Sequence, residues 1–216
     1  SCGFYTRAAL QLSPQCRTGA AHGVRDPRTP LSGRHVAHRM QTWPPSEGEM
    51  QQDYVVGLGG NLGERERFLA RGVEQIARLP VEIAQLSRVY ETPPLGPPQP
   101  SYLNAAVRVR TAEEPHALLD SLLAIEAALG RVRDVRWGPR VLDLDILWAE
   151  SAFVSERLTI PHSQLNARTF ALAPLLDVAP ELAPSYAAAL HALGGAPQVY
   201  GALCFNRVSL MCDFTL

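Results

Sequence analysis

Two helix patterns, each bracketed by strand patterns, run through the middle of the chain and restrict the folds that it can adopt. Apolar residues recur at helical spacing over residues 64–79, and Pro80 ends that segment. A second helix is predicted over residues 115–130, because its first residue is a proline and its last a glycine. Thr111 and Glu114 have the spacing of a capping box and are expected to start this helix.

Strand patterns lie before, between and after these helices. Apolar runs and alternations predict strands over residues 54–59, 81–90, 102–110 and 141–148. The order β-α-β-β-α-β is that of ferredoxin-like folds, in which helices back an antiparallel sheet. The sequence therefore predicts an α+β fold of this kind, with a short extra β excursion through Phe153 and Leu158 and C-terminal helices over residues 167–177 and 185–193.

The patterned region has clear limits. Residues 1–49 are rich in Pro, Gly and Arg and show no sustained apolar period, which is typical of segments that cannot bury enough surface to fold. We therefore expect residues 1–49 to be a disordered extension and residues 50–197 to form the functional domain. Nothing in the pattern assigns a structure to residues 198–216.

Charge and composition exclude several classes of protein. Twenty basic residues against 21 acidic ones give a net charge of −1, which argues against holding nucleic acid by bulk charge. All the basic residues are Arg, so neither a P-loop lysine nor a Schiff-base lysine is available. No CxxC pair or apolar run of membrane-spanning length occurs. These features predict a cytoplasmic protein with reduced thiols, no membrane contact and no nucleic-acid partner.

Chemistry is concentrated in residues 131–145. Alternate residues of a strand share a face, so Asp143 and Asp145 are predicted to point the same way, with Cα atoms about 7 Å apart. Paired carboxylates repel unless a cation lies between them, and Mg²⁺ is the hard cation that recruits phosphates to complete its shell. Four arginines within residues 131–140 would match phosphate oxygens. An acidic pair on a strand is often merely solvated, but both features together indicate phosphoryl transfer from a nucleotide.

Residues 136–147 read Arg-Trp-Gly-Pro-Arg-Val-Leu-Asp-Leu-Asp-Ile-Leu and closely resemble the signature of the 6-hydroxymethyl-7,8-dihydropterin pyrophosphokinase family of the folate pathway. Three further segments agree in order and spacing: residues 57–63, residues 90–97 with 102–105, and residues 158–162 with Arg168 and Phe170. The resemblance extends over about residues 50–197. It implies transfer of a pyrophosphoryl group from ATP to the hydroxymethyl group of the pterin, with release of AMP.

The resemblance also implies roles for individual residues. Asp143 and Asp145 match carboxylates that hold two Mg²⁺ ions, and Arg131 and Arg140 match catalytic arginines near the triphosphate. The positions that match pterin contacts are Thr92, Pro93, Leu95, Tyr102, Asn104, Trp137 and Phe170. The positions that match ATP contacts are Glu126, Arg133, Arg136, Ile146, Arg157, Thr159, His162 and Arg168. A monomer is expected, with loops 92–100 and 131–139 closing as lids over both substrates.

Two other classes remain open at the level of sequence. Nucleotidyltransferases also combine an Asp-x-Asp pair with a Gly-Gly turn, but Gly60 lies far upstream of Asp143 here. A ferredoxin-like sheet that binds RNA through Arg and aromatic side chains is the second alternative. Such a sheet would not present paired carboxylates to phosphate, and it would bind without magnesium.

Overall fold

The computed structural model of the protein describes residues 51–94, 98–131 and 138–203. The predicted N-terminal extension, residues 1–49, lies outside these ranges, as do residues 204–216. The strands are β1 (Gln52–Gly60), β2 (Glu82–Leu86), β3 (Arg88–Thr92), β4 (Tyr102–Thr111), β5 (Asp143–Ala149), β6 (Phe153–Val154), β7 (Thr159–Ile160) and β8 (Gln198–Ala202). The α-helices are α1 (Arg65–Ile76), α2 (Pro115–Ala128), α3 (Thr169–Val178) and α4 (Ala183–Ala192).

The main sheet is antiparallel throughout its described pairs. Its strand order is β5-β1-β4-β3-β8, with β2 also paired to β4. The two short strands β6 and β7 form a separate hairpin. The protein is therefore an α+β protein in which β1, the first strand, lies between β5 and β4.

Helices pack on both faces of this sheet. Helices α1 and α2 cover one face, where the larger apolar cluster includes Leu58, Leu69, Leu122, Leu144 and Ile146. Helix α3 covers the other face at one end only, over a second cluster that includes Val55, Ala106, Leu147, Leu172 and Leu175. The remaining part of that second face carries glycine and polar side chains, and it is there that the predicted acidic pair lies.

Two local expectations are corrected and one is confirmed. Residues 81–90 form two strands rather than one, because Ser87 interrupts them and its Oγ accepts a hydrogen bond from the Ala106 backbone N–H at 2.7 Å. The capping box is wrong, because Thr111 ends β4 and its Oγ1 instead accepts from the Glu113 N–H and donates to the Pro80 carbonyl. The start and stop of α2 are confirmed, with a proline in its first turn and Gly130 at φ +91° just beyond its end.

Strand β8 lies in the segment that the sequence pattern left without a structure. It pairs with β3, and two glycines at positive φ, Gly194 and Gly195, precede it. Val199 and Tyr200 are nearly half exposed, so the strand buries no regular apolar face. Alternation of apolar and polar residues, the usual strand signal, is for that reason missing. In the described part of the chain, no helix has both the length and the apolar character that crossing a bilayer requires.

A buried charge network joins β1 to β4 at the far end of the sheet. The Asp53 carboxylate is 2% exposed and accepts from Arg108 at 2.7 Å and from Arg110 at 2.8 Å. Burial alone would raise the pKa of Asp53, but hydrogen bonds and charges from Arg110 and Arg108 outweigh it and hold the pKa below its usual value. The carboxylate therefore stabilises the fold in its ionised form.

The substitution Asp53→Asn is expected to lower the free energy of unfolding by about 3 kcal/mol at pH 7, because it removes the buried anion that Arg108 and Arg110 share and leaves Arg108 only its ion pair with Glu181. Urea unfolding measures this change. The deficit should shrink as the pH falls below about 4, where the wild-type carboxylate also becomes protonated. Exposed Glu82, which faces Arg110 from β2, provides the control, and Glu82→Gln should change stability by less than about 0.5 kcal/mol. Equal losses of stability in the two variants would contradict a special stabilising role for the buried Asp53 carboxylate.

Candidate active site

Three residues on neighbouring strands form a row across the uncovered part of the sheet. Asp143 on β5 is paired with Gly59 on β1, and Gly59 is paired in turn with Asn104 on β4. Neighbouring strands are about 4.8 Å apart, so the acid and the amide stand about 10 Å apart on either side of a residue without a side chain. A Cβ on Gly59 would lie 3.1 Å from Oδ1 of Asn104, so any side chain there would crowd the amide.

The second acid lies in the next row of the same face. Asp145 is paired with Gly57, whereas the side chains of Leu144 and Ile146 are buried in the cluster on the opposite face. Gly57 and Gly59 are both partly exposed, unlike Val55 earlier on the same strand and face, which α3 buries completely. The two carboxylates thus border a partly open glycine strip, in which Leu147 packs against Gly57 and the Asn104 amide lies beside Gly59.

Repulsion and burial perturb the carboxyl groups at this site. Burial first, and then the charge of Asp143, raise the pKa of Asp145 to about 6, although Arg168, Arg131 and Arg140 act in the opposite direction. Burial likewise raises the pKa of Glu126 to about 7, against the hydrogen bond that it accepts from the Leu144 N–H. Burial is therefore the main cause of both raised pKa values, and it favours the neutral form of each carboxyl group.

Two arginines neutralise Asp143. Arg131 contacts its Oδ1 and Arg140 contacts its Oδ2, each at 2.5 Å. All three side chains are only about one-fifth exposed, so these ion pairs are partly desolvated. The guanidinium groups that the sequence associates with phosphate therefore lie beside the acidic pair, held there by Asp143 itself.

Asn61 connects two loops to the end of β1 through hydrogen bonds. Its Nδ2 donates to the Pro100 carbonyl at 3.0 Å, and its Oδ1 accepts from the backbone N–H of Arg140 at 2.8 Å. Its own backbone N–H donates to the Arg140 carbonyl at 2.9 Å. Sequence reasoning gave Asn61 no role, although its place directly after two glycines at a strand end is a usual signal for a side chain that hydrogen-bonds backbone.

Of the predicted pterin residues that the structure describes, Thr92, Pro93, Tyr102 and Asn104 lie at one end of β3 and β4, whereas Phe170 is on α3. The buried Asn104 amide donates to Thr92 Oγ1 at 2.8 Å. The Tyr102 hydroxyl is 3.2 Å from Gln99 Oε1, and Pro93 is exposed directly after β3. Phe170, at the start of α3, has the Arg168 guanidinium 5.7 Å from its ring centroid. Leu95 and Trp137 lie outside the described residues and stay predictions.

The residues predicted to bind ATP divide into three groups. His162 and Arg168 are close enough to the acidic pair to affect it, and burial together with the charge of Arg168 lowers the pKa of His162. The Nδ1 atom of His162 accepts from the Gln164 N–H at 3.1 Å, which leaves Nε2 to carry the proton of the neutral ring. Arg133 and Arg136 lie outside the described residues and stay predictions.

The last group does not face the open strip. Glu126 is 1% exposed, and the side chain of Ile146, 2% exposed, is in the core on the opposite face. Arg157 pairs with Asp120 on α2 across the protein surface, and Thr159 is exposed on the β6–β7 hairpin. For Ile146 only the backbone is therefore available to a ligand in this structure.

The donor set fits a divalent cation that shares its ligands with a substrate. No cluster of three His, Cys, Asp or Glu side chains suited to a metal occurs among the described residues, so the protein by itself offers a pair of carboxylates. Mg²⁺ is typically bound by one or two carboxylates and completes its shell with water and substrate phosphates.

The chain is similar in sequence to a family of known proteins. Residues 55–180 match the sequence model of the family described as 7,8-dihydro-6-hydroxymethylpterin-pyrophosphokinase (HPPK). A 2-amino-4-hydroxy-6-hydroxymethyldihydropteridine pyrophosphokinase of Methylorubrum extorquens is 49% identical over 130 residues, covering 59% of this chain and 82% of the relative. The enzyme of that name from Pseudomonas aeruginosa is 44% identical over 136 residues, covering 62% and 84% respectively.

Solved structures similar to the chain include wild-type Plasmodium falciparum HPPK-DHPS with pteroate. The match covers 63% of this chain at 14% identity, with a TM-score of 0.49. This chain spans 42% of that longer one.

Proposed function

Because the chain belongs to the 7,8-dihydro-6-hydroxymethylpterin-pyrophosphokinase family, we propose that it transfers pyrophosphate from ATP to 6-hydroxymethyl-7,8-dihydropterin in folate synthesis. The hydroxymethyl oxygen forms a bond to the β-phosphorus, and the bond from that phosphorus to the bridging oxygen of the α-phosphate breaks. AMP leaves with the electron pair of that bond, and the hydroxyl proton passes to solvent. The product is the pterin diphosphate ester.

The observation that carries this proposal is the row Asp143–Gly59–Asn104 across the sheet. A flat heterocycle over the glycine strip would have an amide at one side and the acidic pair at the other. Asn104 would recognise the edge of the ring, whose donors and acceptors need fixed partners. The substituent to be phosphorylated would then point towards the acids. The row thus supports a fixed direction for the pterin.

Ring stacking and edge recognition are assigned to the residues around this row. We propose that Phe170 and Tyr102 contact the faces of the pterin, because aromatic rings stack on flat heterocycles. Thr92 already accepts a hydrogen bond from the Asn104 amide, which fixes the orientation of that amide before the substrate arrives. Trp137, Pro93 and the backbone around Leu95 are proposed to complete the pterin site.

Two Mg²⁺ ions are proposed to be held by Asp143 and Asp145 together with the ATP phosphates. When bound, magnesium would neutralise the phosphates and orient the β-phosphorus for in-line displacement. Arg131 and Arg140 are proposed to exchange Asp143 for phosphate oxygens when the nucleotide binds. Charge-assisted hydrogen bonds from guanidinium to phosphate are among the strongest available to a protein, which favours the exchange.

The finer architecture is also a proposal. The strand order β5-β1-β4, with β2 and β3 both on β4, supports a ferredoxin-like core in which the interrupted segment provides one edge. The predicted lid segments, residues 92–100 and 131–139, lie partly outside the described residues and stay predictions. We further propose that the enzyme acts as a monomer.

One assay tests the function. Protein with MgATP and 6-hydroxymethyl-7,8-dihydropterin is expected to form AMP and pterin diphosphate in equal amounts, with no AMP when magnesium is chelated. Chromatography of the nucleotide products measures this. Release of pyrophosphate instead of AMP would indicate a nucleotidyltransferase. Salt-sensitive RNA binding without turnover would indicate the RNA-binding alternative.

A further inference from the structure

Glu126 is a buried acid that does not face the proposed substrates. It lies on α2 and is 1% exposed. Strand β5 is at an edge of the main sheet, and none of the described strands pairs with one side of its backbone. Glu126 Oε1 accepts the Leu144 backbone N–H from that side at 2.7 Å. Leu144 is the single residue between Asp143 and Asp145. The side chain therefore holds the peptide that separates the two acids.

The same carboxylate also holds an arginine. Nη1 of Arg131 contacts Glu126 Oε1 and, at 2.5 Å, Asp143 Oδ1. The Arg131 backbone N–H additionally donates to the Glu126 carbonyl at 3.0 Å, just beyond the end of α2. A continuous set of contacts thus runs from the Leu144 N–H through Glu126 and Arg131 to Asp143.

The burial and contacts of Glu126 favour a role in orienting the acidic site over direct binding of ATP. A side chain that is 1% exposed has almost no surface left for ATP, whereas Leu144 and Arg131, both of which it contacts, are parts of the acidic site. In metal sites, groups that orient the ligands typically change metal affinity 10–100-fold when they are removed. A buried acid that contacts the ligand-bearing strand and its arginine has the placement of such a group.

We infer that Glu126 is a positioning residue, which sets the separation of Asp143 and Asp145 and the direction of Arg131, and so controls how tightly the site binds a divalent cation together with nucleotide. The inference deepens the proposed function, since it takes the acidic pair as the cation site. It replaces the expectation that Glu126 contacts ATP directly.

Two substitutions at Glu126 separate its two contacts. Glu126→Gln keeps an oxygen that can accept the Leu144 N–H but loses the charge that holds Arg131. Glu126→Ala loses both. The probe is Mn²⁺ with α,β-methylene-ATP, which the enzyme cannot cleave, and free Mn²⁺ is measured by electron paramagnetic resonance. Thermal unfolding of each variant establishes that the measured protein is folded.

We expect Mn²⁺ affinity in the presence of the analogue to fall about 10-fold in Glu126→Gln and about 100-fold in Glu126→Ala. In turnover, kcat should fall in the same order, with the KM for the pterin unchanged. Glu114→Gln, an exposed carboxyl at the start of α2, is the control and should match wild type.

Three outcomes would overturn the inference. A higher KM for ATP at unchanged kcat and unchanged Mn²⁺ affinity would make Glu126 a nucleotide ligand. Lower thermal stability with wild-type Mn²⁺ affinity would make it purely structural. Equal losses in the Gln and Ala variants would deny the Leu144 contact a role. Because Mn²⁺ binding needs no turnover, wild-type protein that binds Mn²⁺ with nucleotide but forms no AMP would refute the proposed function alone.

Discussion

Asp145→Asn is expected to lower the rate of AMP formation by at least about 10²-fold while leaving the protein folded. The substitution keeps the shape of the side chain but removes its charge, so the site would lose half of the anionic pair that is proposed to hold magnesium. The loss should appear in kcat and persist at high ATP, because the missing charge acts on the reacting phosphates. Product formation under saturating MgATP and pterin measures it.

The free energy of unfolding provides the control for Asp145→Asn, because the variant should lose activity but gain stability at neutral pH. Burial and Asp143 raise the pKa of Asp145 from 3.8 to about 6. The folded protein therefore keeps its proton between about pH 4 and 6, where the unfolded chain has lost it. The stabilisation from this group is full below about pH 4 and is lost as the pH rises through about 6. In the absence of metal, Asp145→Asn and wild type should therefore have equal free energies of unfolding at pH 4.

Above pH 6 the variant should be more stable than wild type by about 2–3 kcal/mol, since one pKa unit corresponds to 1.36 kcal/mol. Thermal unfolding at pH 4 and pH 8 in a chelating buffer tests the difference. Glu156→Gln, an exposed acid on the β6–β7 hairpin, should change neither activity nor stability. An inactive Asp145→Asn that is also less stable at pH 8 would make Asp145 a structural residue.

Sequence reasoning succeeded where the signals are local. The periods of α1 and α2, the proline at the start of α2 and the glycine after its end all predict the observed elements, because each depends on residues within a few turns. The alternation in β5 likewise places Asp143 and Asp145 on one face. These are the parts of the fold and site that a single strand or helix decides.

The remaining parts depend on residues far apart in the chain. Gly59 and Asn104 are 45 positions apart in sequence and meet only through the pairing of β1 with β4. Glu126 was expected to be a nucleotide ligand because it matches a family position, but only the packing of α2 beside β5 shows that it contacts Leu144. Strand β8 has no alternating pattern, because it pairs with β3 and leaves Val199 and Tyr200 largely exposed. Register and packing, rather than local propensity, decide these features.

Arg140→Met should change two measured affinities in opposite directions. In the structure the Arg140 guanidinium contacts Asp143 at 2.5 Å and so competes with any cation for that oxygen. Removing it should tighten the binding of Mn²⁺ alone. With nucleotide present, the same guanidinium is proposed to have moved to a phosphate oxygen, and its loss should slow AMP formation by about 10²–10³-fold. Methionine retains an apolar stem and leaves the backbone contacts of residue 140 with Asn61 available.

The opposite signs are the reason for preferring this variant to a simple loss-of-activity test. If the Arg140 guanidinium only stabilised the fold, its removal would weaken Mn²⁺ binding both with and without nucleotide. If it never left Asp143, its removal would change Mn²⁺ binding without slowing AMP formation. Titration of Mn²⁺ with and without α,β-methylene-ATP, beside the AMP assay, distinguishes these cases. Arg67→Met removes an exposed guanidinium on α1 that is paired with Glu64, just before that helix, and should leave all three measurements at wild-type values. If Arg140→Met binds Mn²⁺ alone more tightly and also forms AMP more slowly, Arg140 must contact Asp143 before the nucleotide binds and the phosphates afterwards.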